Sequence, residues 1–199
     1  ITAIENAGTI TGSAYAIRNG ASSIGTIFNS GIIQGGYAIG NDLGTIATLT
    51  NIGSIYDIWG SSGSGGVISN ISGTITTFNN LQGGSTPVIL SASSNLPTNY
   101  NIIINDQANY GQLSAASTSG STAFDIHPGS TVTKGRYAQV LSGVAPSSLS
   151  TASGNYNGLQ WSLRNASDTV WDLIVTATTA DTQQSLENTA TILRKTFSL

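Results

Sequence analysis

The sequence predicts an all-β protein: a parallel β-helix of about 22 residues per coil, closed by a C-terminal hairpin cap and followed by a short C-terminal α-helix. Three observations predict it: a repeat near that period, short β-branched runs between Gly and Asn, and a near absence of charge. The repeat reads Asn6-Ala7-Gly8-Thr9-Ile10, Asn29-Ser30-Gly31-Ile32-Ile33 and Asn51-Ile52-Gly53-Ser54-Ile55, then Asn70-Ile71-Ser72-Gly73-Thr74-Ile75 with one inserted residue. Its glycines, at 8, 31, 53 and 73, are 23, 22 and 20 residues apart. A second phase runs between them, since Tyr15-Ala16-Ile17-x-Asn19 recurs as Tyr37-Ala38-Ile39-x-Asn41. Gly25-Thr26-Ile27 and Gly44-Thr45-Ile46 form a third, looser pair. Two interleaved phases sharing one period are the signature of a solenoid, in which each unit buries its apolar face against its neighbours.

Each coil then holds about three short strands joined by tight bends. Leucine-rich repeats have a similar length but need Leu at fixed positions and a helix per repeat. The Ca²⁺-binding nonapeptide solenoid needs repeated Gly-Gly-x-Gly-x-Asp, and the Gly-rich stretch 60–66 lacks the Asp. Equivalent residues of successive coils lie one strand spacing apart, about 4.8 Å. Ile10, Ile33, Ile55 and Ile75 are therefore expected to form one inward ladder, and Ile17 and Ile39 a second. Burying an Ile contributes roughly 1.5–3 kcal/mol, so a narrow core needs no large aromatics. Asn at the bends is expected to hydrogen-bond along the stack, and Gly to supply the sharper corners. Stacked like charges would repel, in keeping with Glu5, Arg18, Asp42 and Asp57 being the charged residues of the first 80.

Composition bounds the rest. Gly 24, Ser 28, Thr 25 and Asn 17 together approach half of the 199 residues, yet 23 Ile and a net charge of −3 argue against disorder. Six Lys and Arg give no basic patch for nucleic acid. Zero Cys excludes disulfides and thiol chemistry, and no apolar run reaches the roughly 18 residues of a membrane helix. The chain begins at Ile1 without Met or a signal peptide and reads as a mature fragment of something longer.

Beyond residue 81 the rhythm changes, so the chain divides into coils over 1–81, final coils and a cap over 82–180, and an amphipathic helix over 181–199. Strands are predicted at Val88-Ile89-Leu90, Tyr100–Ile104, Gly111–Ser114, Ala123–Ile126, Arg136–Leu141, Leu159–Leu163 and Val170–Val175. Turns are predicted at Ser119-Gly120, Pro128-Gly129, Lys134-Gly135, Gly154-Asn155 and Asn165–Asp168. A cap is needed because an exposed terminal coil offers unpaired N–H and C=O groups. The uncapped edge at Ile1–Ile10 is expected to associate end to end. Asp181-Thr182-Gln183-Gln184 has the form of a capping box, and Leu186, Ala190, Leu193 and Phe197 share one face, with Arg194-Lys195 at the cation-favouring end. That helix either packs on its own domain or connects to a further part.

No cluster assembles obvious chemistry, and the expectation is no catalytic, cofactor or metal site. His127, the only histidine, shares a strand face with Asp125, but no nucleophile motif accompanies it and His127-Pro128-Gly129 reads as a turn. Sugar chemistry on a β-helix needs two or three carboxylates within roughly 5–10 Å. Neither Asp42 with Asp57 nor Asp106 with Asp125 has the coil spacing or a matching cation, while Asp168 and Asp172 read as solvated caps at a strand edge. Tyr15 and Tyr37 stack at the repeat offset, with Tyr56-x-x-Trp59 in the next coil. The strip either covers a corner of the core or offers a glycan or adhesive platform.

The Asn-x-Gly-[Thr/Ser]-Ile repeats, Tyr110-Gly111-Gln112-Leu113, Gly135-Arg136-Tyr137-x-x-Val140-Leu141 and the pair Trp161-x-Leu163, Trp171-x-Leu173 resemble the C-terminal passenger of a bacterial autotransporter. That resemblance implies a right-handed β-helix ending in an autochaperone region, with 181–199 as the start of a linker towards an outer-membrane β-barrel that is not part of this sequence. It further implies type V secretion through the outer membrane of a Gram-negative bacterium and a cell-surface or secreted location. The C-terminal part would emerge first and nucleate folding, and the intact passenger would serve adhesion or virulence, with a host-surface or glycan ligand. The expected state is monomeric, without nucleic acid or cofactors. The alternatives are a carbohydrate-active β-helix enzyme (polysaccharide lyase or glycoside hydrolase) and a phage tailspike-like β-helix, usually trimeric.

Overall fold

The protein is a β-solenoid in a computed structural model that describes residues 1–58, 67–115, 118–178, 183–190 and 192. The first coil contains β1 (Ala3–Asn6), β2 (Thr9–Thr11) and β3 (Tyr15–Asn19). The second contains β4 (Ser23–Asn29), β5 (Ile32–Gly35) and β6 (Tyr37–Asn41), and the third β7 (Thr45–Asn51), β8 (Ser54–Asp57) and β9 (Ile68–Ser69). The chain continues through β10 (Thr74–Asn80), β11 (Val88–Ile89), β12 (Asn99–Ile102), β13 (Leu113–Ser114), β14 (Thr122–Ile126) and β15 (Gly135–Ser142). A 3₁₀ turn at Pro146–Ser148 leads to β16 (Leu149–Thr151), β17 (Ser153–Tyr156), β18 (Leu159–Ser167) and β19 (Val170–Ala177).

One face runs the length of the solenoid as seven parallel strands, β1-β4-β7-β10-β12-β14-β16. A second face, β2-β5-β8, ends after the third coil. The third, β3-β6-β9, is joined through the parallel Ile68–Leu90 bridge to β11-β13-β15. There the parallel pattern stops, and β15 pairs antiparallel with β19, then β18 and β17.

The register confirms most of the stacking and corrects part of it. Ile10, Ile33 and Ile55 form one column, as expected. Ile75 does not belong to it: Ile75 stacks on Ile46 and Ile24 on the long face. The Ile17–Ile39 column continues to Ile68. Gly25-Thr26-Ile27 is not equivalent to Gly44-Thr45-Ile46 either, because Ile46 lies over Ile24 and Leu49 over Ile27. The cause is the length of the third coil. Asn6–Asn29 and Asn29–Asn51 are 23 and 22 residues apart, whereas Asn51–Asn80 and Asn41–Asn70 are both 29 apart. The extra chain lies between Asp57 and Ile68 and moves Asn70 from the first corner, where its motif places it, to the second.

The two corners are built alike. Asn6, Asn29, Asn51 and Asn80 stack at one, with each Nδ2 donating to the Oδ1 of the next at 2.8, 2.8 and 3.2 Å. Asn19, Asn41 and Asn70 stack at the other, at 2.8 and 2.7 Å. The second amide hydrogen goes to a backbone carbonyl one coil on, as from Asn6 to Ile32 O at 2.9 Å and Asn41 to Thr74 O at 3.2 Å. Asn29, Asn41, Asn51, Asn70 and Asn80 have no exposed surface, so an unpaired amide there would carry its full desolvation cost. The repeat glycines Gly31, Gly53 and Gly73 are needed for space rather than for backbone freedom, whereas a Cβ on Gly8 would meet nothing within 4 Å. None of Gly8, Gly31 and Gly53 has positive φ, but a Cβ on Gly53 would lie 2.2 Å from Gly31 O.

Inside, the column over Ile27 and Leu49 becomes aromatic, with Phe78, Tyr100 and Phe124 in register. Ring centroids lie 5.7 Å apart for Phe78–Tyr100 and 6.0 Å for Tyr100–Phe124, and Trp161 of the cap continues the series at 5.5 Å from Phe124. These larger rings occupy the part of the solenoid beyond β8, where the second face is no longer present.

The cap strands fall where alternation placed them, with β16 and β17 additional. The hairpin turn is Asn157-Gly158, not Gly154-Asn155. Asn157 (φ 46°) and Gly158 (φ 79°) give the two positive-φ residues that a type I′ turn requires. Gly154 lies within β17 opposite Trp161, and a Cβ on it would come within 2.8 Å of the indole. The last turn is at 168–169, past the end of β18. Residues 183–190 are helical and exposed, Leu186 included, so the described part of this helix does not pack on the domain. Asp181-Thr182, Leu193, Arg194-Lys195 and Phe197 lie outside the described residues.

Replacing Asn29 with Leu strands the Asn6 amide hydrogen and the Asn51 carbonyl in a dry corner. The expected loss is about 2–6 kcal/mol, from two buried groups at roughly 1–3 kcal/mol each. Asn99→Leu removes one exposed amide bond, to Thr76 O at 3.0 Å, and costs under about 1 kcal/mol. Equal midpoint shifts for the two variants in urea would contradict the buried ladder as a source of stability.

Candidate functional site

The most concentrated outward-facing chemistry is on the β3–β6 face. Tyr15 and Tyr37 are in register and stacked, with centroids 5.5 Å apart and planes at 21°. Both are half-buried. Tyr15 lies over Gly40, where a Cβ would come within 2.5 Å of the ring. The Arg18 guanidinium sits 5.2 Å from the Tyr15 centroid, and its Nε donates to Asp42 Oδ2 at 3.0 Å. A cation on Asp42 was not expected from the sequence, because Arg18 is 24 residues away rather than 22 and so pairs diagonally. The Arg18 side chain is 63% exposed, so the pair itself adds little to stability. It holds the guanidinium in place over the ring.

Tyr56 does not extend this strip. It lies on the second face, in register with Gln34 and Thr11, and Trp59 lies outside the described residues. The aromatic surface is thus a two-ring patch with one cation and one anion, a donor–acceptor pair beside an apolar plane. Such a patch suits the C–H face and hydroxyls of a sugar, and equally covers the edge of the core.

The carboxylates are dispersed. Asp42 follows β6 in the bend after the third face and Asp57 ends β8 on the second. Asp106 Oδ1 accepts the backbone N–H groups of Ala108 and Asn109 at 2.7 and 2.8 Å, closing a turn. Asp125 is exposed on β14, with Oδ1 accepting the N–H of Ile126. Among the described residues, no three His, Cys, Asp or Glu side chains are grouped to hold a metal.

Asp172 corrects the reading of a solvated cap. It is 5% exposed, and its Oδ2 accepts from Arg136 Nε at 2.7 Å while its Oδ1 accepts the N–H of Gln139 at 2.9 Å. Gln139 has φ 52° and sits in the irregular stretch of β15 between Tyr137 and Leu141. The Tyr110 hydroxyl takes the N–H of Ala138 and donates to its carbonyl, both at 3.1 Å, and Gln112 Nε2 donates to the same carbonyl at 3.0 Å. Tyr110, Gln112, Arg136 and Asp172 thus converge on one bulge, at the strand where parallel coils meet antiparallel cap. The sequence showed two of the motifs but not their meeting, because Arg136 and Asp172 are 36 residues apart and outside the repeat.

His127 is part of this end. Its Nδ1 accepts the N–H of Gly129 at 3.1 Å, shaping the Pro128-Gly129 turn. The Tyr156 hydroxyl faces the carbonyls of Pro128 (2.9 Å) and Ser130 (2.7 Å), which ties the β17 hairpin to that turn. Burial pushes the His127 imidazole below its ordinary value.

A depressed folded-state pKa means that the unfolded chain takes up the proton first. The contribution of His127 to stability is therefore complete above the unfolded value of about 6.5 and is lost as pH falls through the folded one. In His127→Asn the amide oxygen still accepts from Gly129 but does not titrate. The stability difference between wild type and this variant is expected to be constant above pH about 6.5 and to shift against wild type below it. A difference that stays flat down to pH 4 would refute the dependence.

No protein-family model, curated protein or solved structure matches this chain.

Proposed function

We propose that this chain is a non-enzymatic, surface-exposed or secreted β-solenoid whose C-terminal cap nucleates and seals its folding during autotransporter-type secretion. The observation that carries this reading is the bulge in β15, where Asp172, Arg136, Tyr110 and Gln112 lock an antiparallel cap onto the last parallel strand. Coils stack by strand pairs 22 or more residues apart, while β17, β18 and β19 pair with one another across two-residue turns and β19 then docks on β15. A unit with local contacts forms faster than one that must close long loops. A cap that folds first at the outer surface would present the template edge to which coils add in turn. The exposed helix at 183–190 suits a connector to an outer-membrane barrel. The intact passenger would carry adhesion, and the Tyr15–Tyr37 patch with Arg18 favours a glycan as its ligand.

Removing the Asp172 carboxylate leaves the Gln139 N–H without its acceptor and frees Arg136 to water. Asp172→Ala is expected to cost about 2 kcal/mol, and if the cap nucleates folding the loss falls on the refolding rate, slowing it roughly thirtyfold. A core truncation in the second coil, Ile33→Val, instead speeds unfolding. An Asp172→Ala variant that refolds at the wild-type rate and only unfolds faster would remove the cap from the nucleus. For secretion, the chain fused ahead of an autotransporter barrel is expected to become protease-accessible on intact cells, and Asp172→Ala to reduce that display. Display indifferent to the substitution would sink the autochaperone reading.

A further inference from the structure

The dipeptide Asn-Gly occurs twice in the sequence, at Asn19-Gly20 and Asn157-Gly158. It is the asparagine context most open to cyclisation, because a following glycine has no side chain to hinder its nitrogen from reaching the carboxamide carbon. Both glycines are exposed, and a Cβ on either would meet nothing within 4 Å. The difference lies in the asparagines.

Asn19 is 4% exposed and belongs to the amide column of the second corner. Its Nδ2 donates to Asn41 Oδ1 at 2.8 Å, to Ser22 O at 3.1 Å and to Thr45 O at 3.3 Å. Asn157 stands exposed in the turn between β17 and β18, at φ 46°. Tyr156 pairs with Leu159 across that turn, which leaves Asn157 and Gly158 outside the ladder. Among the described residues the Asn157 carboxamide has no hydrogen-bond partner.

We propose that Asn157 is a site of spontaneous covalent modification, converting with water to aspartate and isoaspartate, and that Asn19 is kept intact by its place in the amide column. The step balances without a cofactor. The Gly158 nitrogen loses its proton to hydroxide and attacks the Asn157 carboxamide carbon. A C–N bond closes a cyclic imide, the bond to Nδ2 breaks, and Nδ2 takes up a proton and leaves as ammonia. Water then opens the ring at one of its two carbonyls. Opening at the side-chain carbonyl leaves aspartate on an unaltered main chain. Opening at the backbone carbonyl leaves isoaspartate, whose main chain runs through the side-chain methylene.

The two products differ in what they do to the cap. Asp-Gly suits a type I′ turn as Asn-Gly does, so the aspartate form keeps the hairpin. The longer main chain of isoaspartate does not fit a two-residue turn and displaces Tyr156 from Leu159. Tyr156 is buried, and its hydroxyl faces Pro128 O at 2.9 Å and Ser130 O at 2.7 Å. Isoaspartate at 157 therefore loosens the tie between the β17 hairpin and the turn at Pro128-Gly129. This chemistry is independent of how the chain is exported.

The test incubates the full chain at neutral and at mildly alkaline pH and follows the peptides that carry residues 19 and 157 by mass spectrometry, beside a sample unfolded in guanidinium chloride. In the folded chain, conversion is expected to be at least about tenfold faster at 157 than at 19, since reaction at Asn19 first requires a buried site to open. The rate at 157 is expected to rise with pH, and in the unfolded sample the two asparagines are expected to convert at comparable rates. An Asn157 as durable as Asn19 in the folded chain, or an Asn19 that stays intact in guanidinium chloride, would overturn the assignment. The aged chain is then compared with Asn157→Asp, which is expected to melt with the wild type while the isoaspartate fraction melts several degrees lower. An isoaspartate fraction that melts with Asn157→Asp would overturn the consequence for the cap.

Discussion

Translation by one strand spacing sets every other choice in this molecule. At about 4.8 Å each side chain faces the residue one coil away in the same orientation, so a position is tolerated only if the group it carries is compatible with its own copy. Aliphatic side chains meet that condition by packing. Carboxylates and ammonium groups fail it by repulsion. The carboxamide is a polar group that meets it in full, offering a donor on one side and an acceptor on the other. A chain of this kind is consequently rich in Ile and Asn and poor in charge, and where charge does occur, as at Arg18 and Asp42, opposite signs meet across the stack.

The same condition explains how the solenoid changes along its length. The register that holds Asn51 and Asn80 holds Ile102 and then Ile126. The amide column ends on the Tyr100 hydroxyl, which lies 3.3 Å from Asn80 Nδ2 and is fully buried. Beyond that point hydrogen bonding at the corner gives way to apolar packing, and aromatic rings fill the interior. The exchange occurs within one coil, so the third coil and its neighbour mark a boundary between two ways of stabilising the same backbone path.

How much of this could be read beforehand follows from the same physics. The period, the parallel stacking and two of the apolar columns were legible because each position repeats its own chemistry. The assignment of Asn70 and Ile75 failed because both corners use one solution, an Asn followed by a bend and a crowded glycine, so a coil longer by seven residues slides one corner's motif onto the other's place. In the cap, alternation located most strands, but Gly154-Asn155 resembled a turn when the glycine is small to admit Trp161. Asp172 was misread for a different reason. Its partners are tied to it by the antiparallel pairing of β15 with β19, a relation that no period encodes.

That difference between periodic and aperiodic parts bears on how the chain folds. A single coil is unstable alone, since each of its strands finds partners only in neighbouring coils and each such contact closes a loop of 22 residues or more. Stacking therefore needs a template, and the first template must come from somewhere that does not itself need one. The β17–β18–β19 meander is joined by two-residue turns and carries Trp161, Leu163, Trp171 and Leu173, all buried, while the bond from Trp171 Nε1 to Val144 O at 2.8 Å ties it to the chain that precedes it. Among the described residues it is the set of strands whose pairing is local in sequence. A chain that begins to fold there meets the smallest entropic barrier, and every later coil then gains its contacts on a surface already in place.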